Sequence, residues 1–279
     1  EYSLVEVTVR TLQGRYLFKP SPGWREIFIG LLARSQERYP LKIHAFACLS
    51  NHFHLLVTPK NAYQLAAFMR YFNTNLSKEA GRLHDWRGVL IERRYRSILV
   101  SEEPEVQVAR LRYILAHGVK EGLVAKVDAW PGPHCASSLV SGRPSKGVWI
   151  DRAQQYAANR RVSEADAEDH SVFYELTLDS LPCWRHCEPI DYRRRVAELI
   201  LDLETNARRQ LRRKGHRPLG VRRIMKQHPH HRPQRVSWSP AGLAHAGTQK
   251  VHLELRRAYS MFAAAFYSAI ETLRRGDVS

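Results

Sequence analysis

The stretch LKIHAFACLSNHFHLLVT, residues 41–58, decides how this chain is read. Residues 41–49 and 52–58 are two apolar runs parted by Ser50-Asn51, which predicts two strands around a hairpin-like break. Side chains alternate faces along a strand, so His52 and His54 point one way while Phe53 and Leu55 point the other. A spacing of two residues lets two imidazoles converge on one cation. Taken alone, two of 14 histidines at this spacing are equally well explained by chance.

Working outward, the flanking pattern predicts alternating short strands and helices. Val5, Val7 and Val9 alternate with Glu6 and Thr8, a period-two strand. Ser21-Pro22-Gly23 precedes Ile27, Phe28, Leu31 and Leu32, a helix that ends near Pro40. Leu65, Phe68, Met69, Phe72 and Leu76 mark a second helix. Residues 88–100 read as a strand, and a third helix runs from Glu102 to about His117. The order βαββαβ plus a helix predicts an α+β fold of the ferredoxin-like type, an antiparallel sheet with helices on one face. Many functions use that architecture, so it names none.

Charge narrows the field. The 279 residues carry 44 Lys+Arg against 27 Asp+Glu, a net charge of +17. Residues 191–240 alone hold 14 basic and 4 acidic side chains, whereas residues 151–190 hold 4 and 8. A basic block of this kind points to a polyanion, of which nucleic acid is the usual one. No apolar run approaches the ~18 residues of a membrane helix, so no membrane partner is expected. Four cysteines are too few for a disulfide scaffold, which predicts reduced thiols and a cytoplasmic location. Cys183 and Cys187, with His186 between them, lack the second ligand pair that a structural zinc site needs.

A second motif meets the histidines. RYILAHGVKEGLV, residues 112–124, places Tyr113 and His117 four apart on one helical face. A phenol with an ordinary pKa of about 10 is a poor nucleophile at neutral pH. A nearby divalent cation can polarise a target phosphate, and His117 can help to hold it. On the residues alone, Tyr113 can also be a half-buried helix aromatic with its hydroxyl reaching water.

Together the motifs resemble a family. LSNHFHLLV, residues 49–57, resembles the His-hydrophobic-His motif of the HUH single-strand endonucleases, and residues 112–124 resemble the tyrosine helix of their single-tyrosine transposases. The nearest resemblance is to the REP-associated tyrosine transposases (RAYTs). FMRYFNTN (68–75), RRYRSILV (93–100), Trp130-Pro131 and Ser137-Ser138 follow in the matching order, so the resemblance spans roughly residues 3–140. It implies attack by a tyrosine on a DNA backbone phosphate, loss of the 3′-hydroxyl and a 5′-phosphotyrosine intermediate. Carried onto this chain, Tyr113 is the nucleophile and His52 and His54 are ligands to Mg²⁺ or Mn²⁺. His117 stands where relatives place Gln or Asn. Three imidazoles make a nitrogen-rich site better suited to Mn²⁺, Ni²⁺ or Zn²⁺ than to Mg²⁺.

The expected partner is single-stranded or hairpin DNA. Arg93, Arg94, Tyr95 and Arg96, expected on a strand beside the site, can grip phosphates and stack a base. The helix from Tyr192 to Lys214 carries Arg208, Arg209, Arg212 and Arg213 largely off its apolar stripe, and Arg222 and Arg223 follow. The expected organisation is a catalytic domain over 1–128, a Gly-, Pro- and Ser-rich linker over 129–150, and a helical, basic accessory domain over 151–279. The final helix, 249–275 with a cap at Gly276, is expected to face Leu255, Phe262, Phe266, Ala269 and Leu273 inward. A chain with so large a second unit is expected to act as a monomer. Two alternatives stand beside the transposase: a nucleic-acid-binding regulator that no longer cuts, and a water-using phosphoesterase in which Tyr113 only positions substrate.

Overall fold

The computed structural model describes residues 3–159, 170–234, 242 and 244–275. Its first half follows the expected order: β1 (Leu4–Arg10), α1 (Trp24–Arg38), β2 (Lys42–Cys48), β3 (His52–Thr58), α2 (Ala62–Leu83), β4 (Arg96–Val100) and α3 (Pro104–Leu115). The sheet order is β2-β3-β1-β4, and each of these pairs is antiparallel. Register places Thr8 of β1 opposite both His54 and Arg96, which puts the three side chains in one row on one face.

The two faces bury different things. Phe53 packs edge-on against Phe28 of α1 and Phe72 of α2, with ring centroids 5.8 and 5.5 Å away. All three rings are fully buried, and truncating one such ring costs roughly 3–5 kcal/mol. α1 and α2 therefore cover the Phe53 face. α3 lies against β2, β3 and β4 on the face that carries His52 and His54. On β2 that face is Ala45 and Ala47, small enough for Leu111, Ile114 and Leu115 of α3 to pack down to full burial. The expectation of helices on one face thus holds for α1 and α2 only; the alternation of His and Phe along β3 demands a cover on each side.

Residues 129–150 are folded rather than linker-like. They carry α4 (Ala136–Ser141) and β5 (Ser145–Ile150), and Trp130, Cys135 and Leu139 are buried. β5 crosses α1 backbone to backbone: a methyl group on Gly30 would overlap Val148, and one on Gly147 would overlap the Gly30 amide. Here glycine marks a close approach rather than a flexible tether. β5 pairs with β6 (Ser171–Leu176) in a separate two-stranded sheet.

Beyond α5 (Arg152–Asn159) and β6, the long helix α6 (Pro189–Arg213) anchors through Tyr192 and Val196. α7 (Val221–Lys226) buries Ile224. β7 (Ala244–His245) then joins the first sheet beside β4, in parallel, so the C-terminal part completes the sheet of the N-terminal part. α8 (Gln249–Arg274) buries none of its residues, and Phe262 and Phe266 are 65% and 52% exposed. The expected inward face is therefore outward. Helical spacing shows that a face is apolar, not that the chain supplies something to cover it. Gly276 lies outside the described residues. Among the described residues, no helix is long and apolar enough to cross a membrane.

Candidate functional site

The row of side chains on the α3 face builds the site. His52 and His54 leave β3 on that face, their ring centroids 5.2 Å apart. α3 supplies Tyr113 and ends at Leu115, two residues earlier than expected, so His117 sits in the turn that follows. Gly118, at φ +89, reverses the chain there, a backbone conformation that L side chains rarely adopt. That turn carries the His117 ring to 4.5 Å from His54 and 5.7 Å from His52. Tyr113 packs edge-on against both His54 (5.5 Å) and His117 (4.9 Å).

Hydrogen bonds fix the tautomers. The Nδ1–H of His117 donates to the Ile114 carbonyl at 3.1 Å, and that of His52 to Asn51 Oδ1 at 2.7 Å. His54 Nδ1 donates to the Glu6 carboxylate at 2.9 Å, with the Thr8 hydroxyl 3.1 Å away. Carbonyls and carboxylates only accept, so each neutral ring keeps a bare Nε2. Burial pushes the His52 and His117 imidazoles well below their ordinary range, which keeps them neutral. One ligand atom from each of the three histidines falls within 4.8 Å of the others, and among the described residues this is the one group of its kind. Three oriented imidazoles with free lone pairs, each backed by an acceptor, are what a site able to hold a divalent cation requires.

Around them lies a charged shell that sequence reading did not single out. Glu6 is 3% exposed and accepts from His54, from His245 Nε2 at 3.0 Å and from Arg110 at 3.5 Å. Burial alone would raise its pKa, but the hydrogen bonds from His245 and His54 and the charge of Arg110 outweigh it and hold the carboxylate ionised. Lys120 sets its ammonium 3.3 Å from the Tyr113 ring centroid, and the Arg110 guanidinium lies 4.7 Å from the same ring. Burial raises the Tyr113 pKa, and the negative charges of Glu6 and Glu121 add to the shift. Burial also lowers the Lys120 pKa, against the pull of Glu121 at 3.6 Å. Glu6 alternates with valines as any half-exposed strand residue would, so nothing in β1 marked it. His245 arrives from 239 positions away in sequence through β7.

The expected DNA-contacting residues divide. Arg93, Arg94 and Tyr95 lie in a bend before β4, not on a strand, and Arg94 stacks over Tyr95 at 5.3 Å. Arg96 opens β4 in the same row as Thr8 and His54. On α6, Arg209 and Arg213 line a groove with Arg112 and Lys120, while Arg208 and Arg212 do not. Arg222 and Arg223 are exposed on α7, whose start is tied by the Leu219 and Gly220 amides to the carbonyls of Gly122 and Leu123. Cys183 and Cys187 gather no metal-binding set among the described residues.

Comparison with known proteins finds resemblances for part of this chain. Residues 9–117 match the family described as "Transposase IS200 like", a span that contains His52, His54, Tyr113 and His117. Among solved structures, the chain is similar to that of a REP-associated tyrosine transposase bound to a REP hairpin, at 16% identity and a TM-score of 0.42, covering 50% of this chain and 82% of that one. It is also similar to a candidate transposase from Deinococcus radiodurans, at 15% identity and a TM-score of 0.31, covering 40% of this chain and 89% of that one. No curated protein matches the chain. Residues 9–117, well under half of the chain, are therefore similar to the IS200-like transposase family.

Proposed function

We propose that this chain is a transposase, a metal-dependent single-strand DNA endonuclease and strand transferase, with Tyr113 as nucleophile and His52, His54 and His117 as ligands to a divalent cation. The observation that carries the reading is the packing of Tyr113 against two of three imidazoles whose Nε2 atoms are bare. The donor set fits a cation, and its three nitrogens favour Mn²⁺ over Mg²⁺. When bound, such an ion supplies Lewis-acid polarisation of a backbone phosphate.

The remaining steps belong to the chain. Tyr113 Oη forms a bond to phosphorus as the bond from phosphorus to the 3′-oxygen breaks. The phenol gives up one proton and the departing 3′-oxygen gains one, leaving a 3′-hydroxyl and a 5′-phosphotyrosine. A second 3′-hydroxyl reverses the exchange and joins a new strand. Burial favours the protonated phenol, so the flanking Lys120 and Arg110 cations stabilise the charge that develops on its oxygen. Glu6, bonded to His54, holds that ring in orientation. The chemistry sits within residues 1–128, and residues 151–279 act as an accessory DNA-holding unit of a monomer. Arg93, Arg94, Tyr95 and Arg96 of the catalytic part and Arg222 and Arg223 of the accessory unit are outlying DNA contacts.

Incubation with labelled single-stranded hairpin DNA and Mn²⁺ tests this. The expected product is an SDS-resistant protein–DNA adduct that Tyr113→Phe abolishes. Cleavage without an adduct would make the chain a water-using phosphoesterase, and binding without cleavage would make it a regulator.

A further inference from the structure

The groove between the end of α3 and the last turns of α6 encloses about 400 Å³. Its wall carries Arg112, Lys120, Arg209 and Arg213, and no carboxylate lines it. Two of these cations are already engaged: Arg112 pairs with Asp202, and Lys120 lies beside Glu121. Arg209 and Arg213 have no acidic partner among the described residues. One turn apart on α6, they present two free charges to the same space. The groove also has an apolar floor, made by Ala116, Val119, Leu203 and Ala207. Lys120 in its wall also sets its ammonium 3.3 Å from the Tyr113 ring centroid.

A cationic rim over an apolar floor suits one class of ligand. A duplex presents phosphates outward and keeps its base faces stacked, so it has nothing to lay on the floor. An unpaired nucleotide offers a phosphate to the rim and a base or sugar face to the floor, the combination that single-strand channels use. The position of Lys120 then fixes the register of the strand, because one ammonium borders both the groove and the phenol ring.

We propose that this groove seats the unpaired nucleotide adjoining the phosphate attacked by Tyr113, with Lys120 at that phosphate and Arg209 and Arg213 at the next one outward. The proposal rests on Tyr113 being the nucleophile and deepens that reading. It makes α6, which lies outside the span matched to the transposase family, part of the substrate path.

The test compares two double variants that remove equal charge from one helix: Arg209→Ala with Arg213→Ala, and Arg208→Ala with Arg212→Ala. Both are made in a Tyr113→Phe background, so binding is read without turnover. The probe is a hairpin DNA with a single-stranded tail, or the same hairpin with its tail annealed to a complement. The groove pair is expected to lose roughly tenfold or more in affinity for the tailed hairpin, and to lower the salt slope by about one. The Arg208/Arg212 pair stays within about twofold of the parent, and neither pair separates from the parent on the annealed tail. Equal losses from the two pairs, or equal losses on both DNAs, would overturn the proposal. Failure of the wild-type chain to form an adduct would instead overturn the reading of Tyr113, leaving the comparison of pairs intact.

Discussion

Glu6 and His54, 48 positions apart in sequence, are joined by a 2.9 Å hydrogen bond from imidazole Nδ1 to a buried carboxylate. The bond is made across the β1–β3 ladder, and it leaves His54 Nε2 free to face His52 and His117. Glu6→Ala removes the acceptor and leaves Arg110 and His245 without their shared carboxylate. Mn²⁺ affinity, measured by calorimetry, is expected to fall 10- to 100-fold, in the range for loss of a group that orients a ligand. Glu6→Gln keeps an acceptor and should retain an intermediate affinity. Unchanged affinity in Glu6→Ala would show that His54 needs no such support.

His117 decides the metal. His117→Gln exchanges a nitrogen ligand for an amide oxygen in the turn after α3. The ratio of adduct formed in Mg²⁺ to that formed in Mn²⁺ is expected to rise several-fold, because oxygen donors favour the harder ion. An unaltered ratio would place His117 outside the cation's ligands.

His134 makes the fold acid-sensitive. It is 7% exposed, and its Nδ1 accepts the Ala136 amide at 3.1 Å, so the ring must stay neutral to keep that bond. Burial lowers its pKa from 6.5 to about 4. The unfolded chain therefore binds the extra proton first, and stability is full above pH 6.5 and drains away as pH falls towards 4. The loss through this one group is on the order of 3 kcal/mol across that window. Urea midpoints measured from pH 7 to pH 4.5 should fall more steeply in the wild type than in His134→Gln. Parallel pH profiles would exclude His134 as the source.

Gly147 distinguishes a packed segment from a linker. Gly147→Ala forces a methyl group into the backbone of α1 at Gly30, and overpacking of this kind costs typically 1–3 kcal/mol. A drop of several degrees in Tm is expected, whereas alanine in a solvent-exposed tether would leave the melt unchanged.

The local signals were legible where one short segment carried both pattern and punctuation. The Ser50-Asn51 break, the His-Phe-His alternation and the Tyr113–His117 spacing were each readable in sequence, and the structure brings their rings together. Segments whose meaning depended on a distant neighbour were not legible. Residues 129–150 have the composition of a loop, yet Gly147 is small because Gly30 lies against it. The apolar stripe of α8 has the spacing of a core helix, yet the described chain offers no surface to receive it. Arg208 and Arg209 are neighbours of equal charge, and only the placement of α3 sets one in a groove and leaves the other outside.

By itself the sequence determined the order of strands and helices along the first half of the chain, the face on which His52 and His54 lie, and the residue types able to bind a cation and attack a phosphate. All of these follow from periodicity within about fifteen residues, where backbone geometry dictates which side chains share a face. Tertiary structure alone decided that Arg110 and His245 gather around the buried Glu6 carboxylate behind His54, that Lys120 borders both Tyr113 and a groove, and that β7 completes the first sheet. Those relationships depend on how elements far apart in sequence pack against one another, and no periodicity within a single segment encodes them.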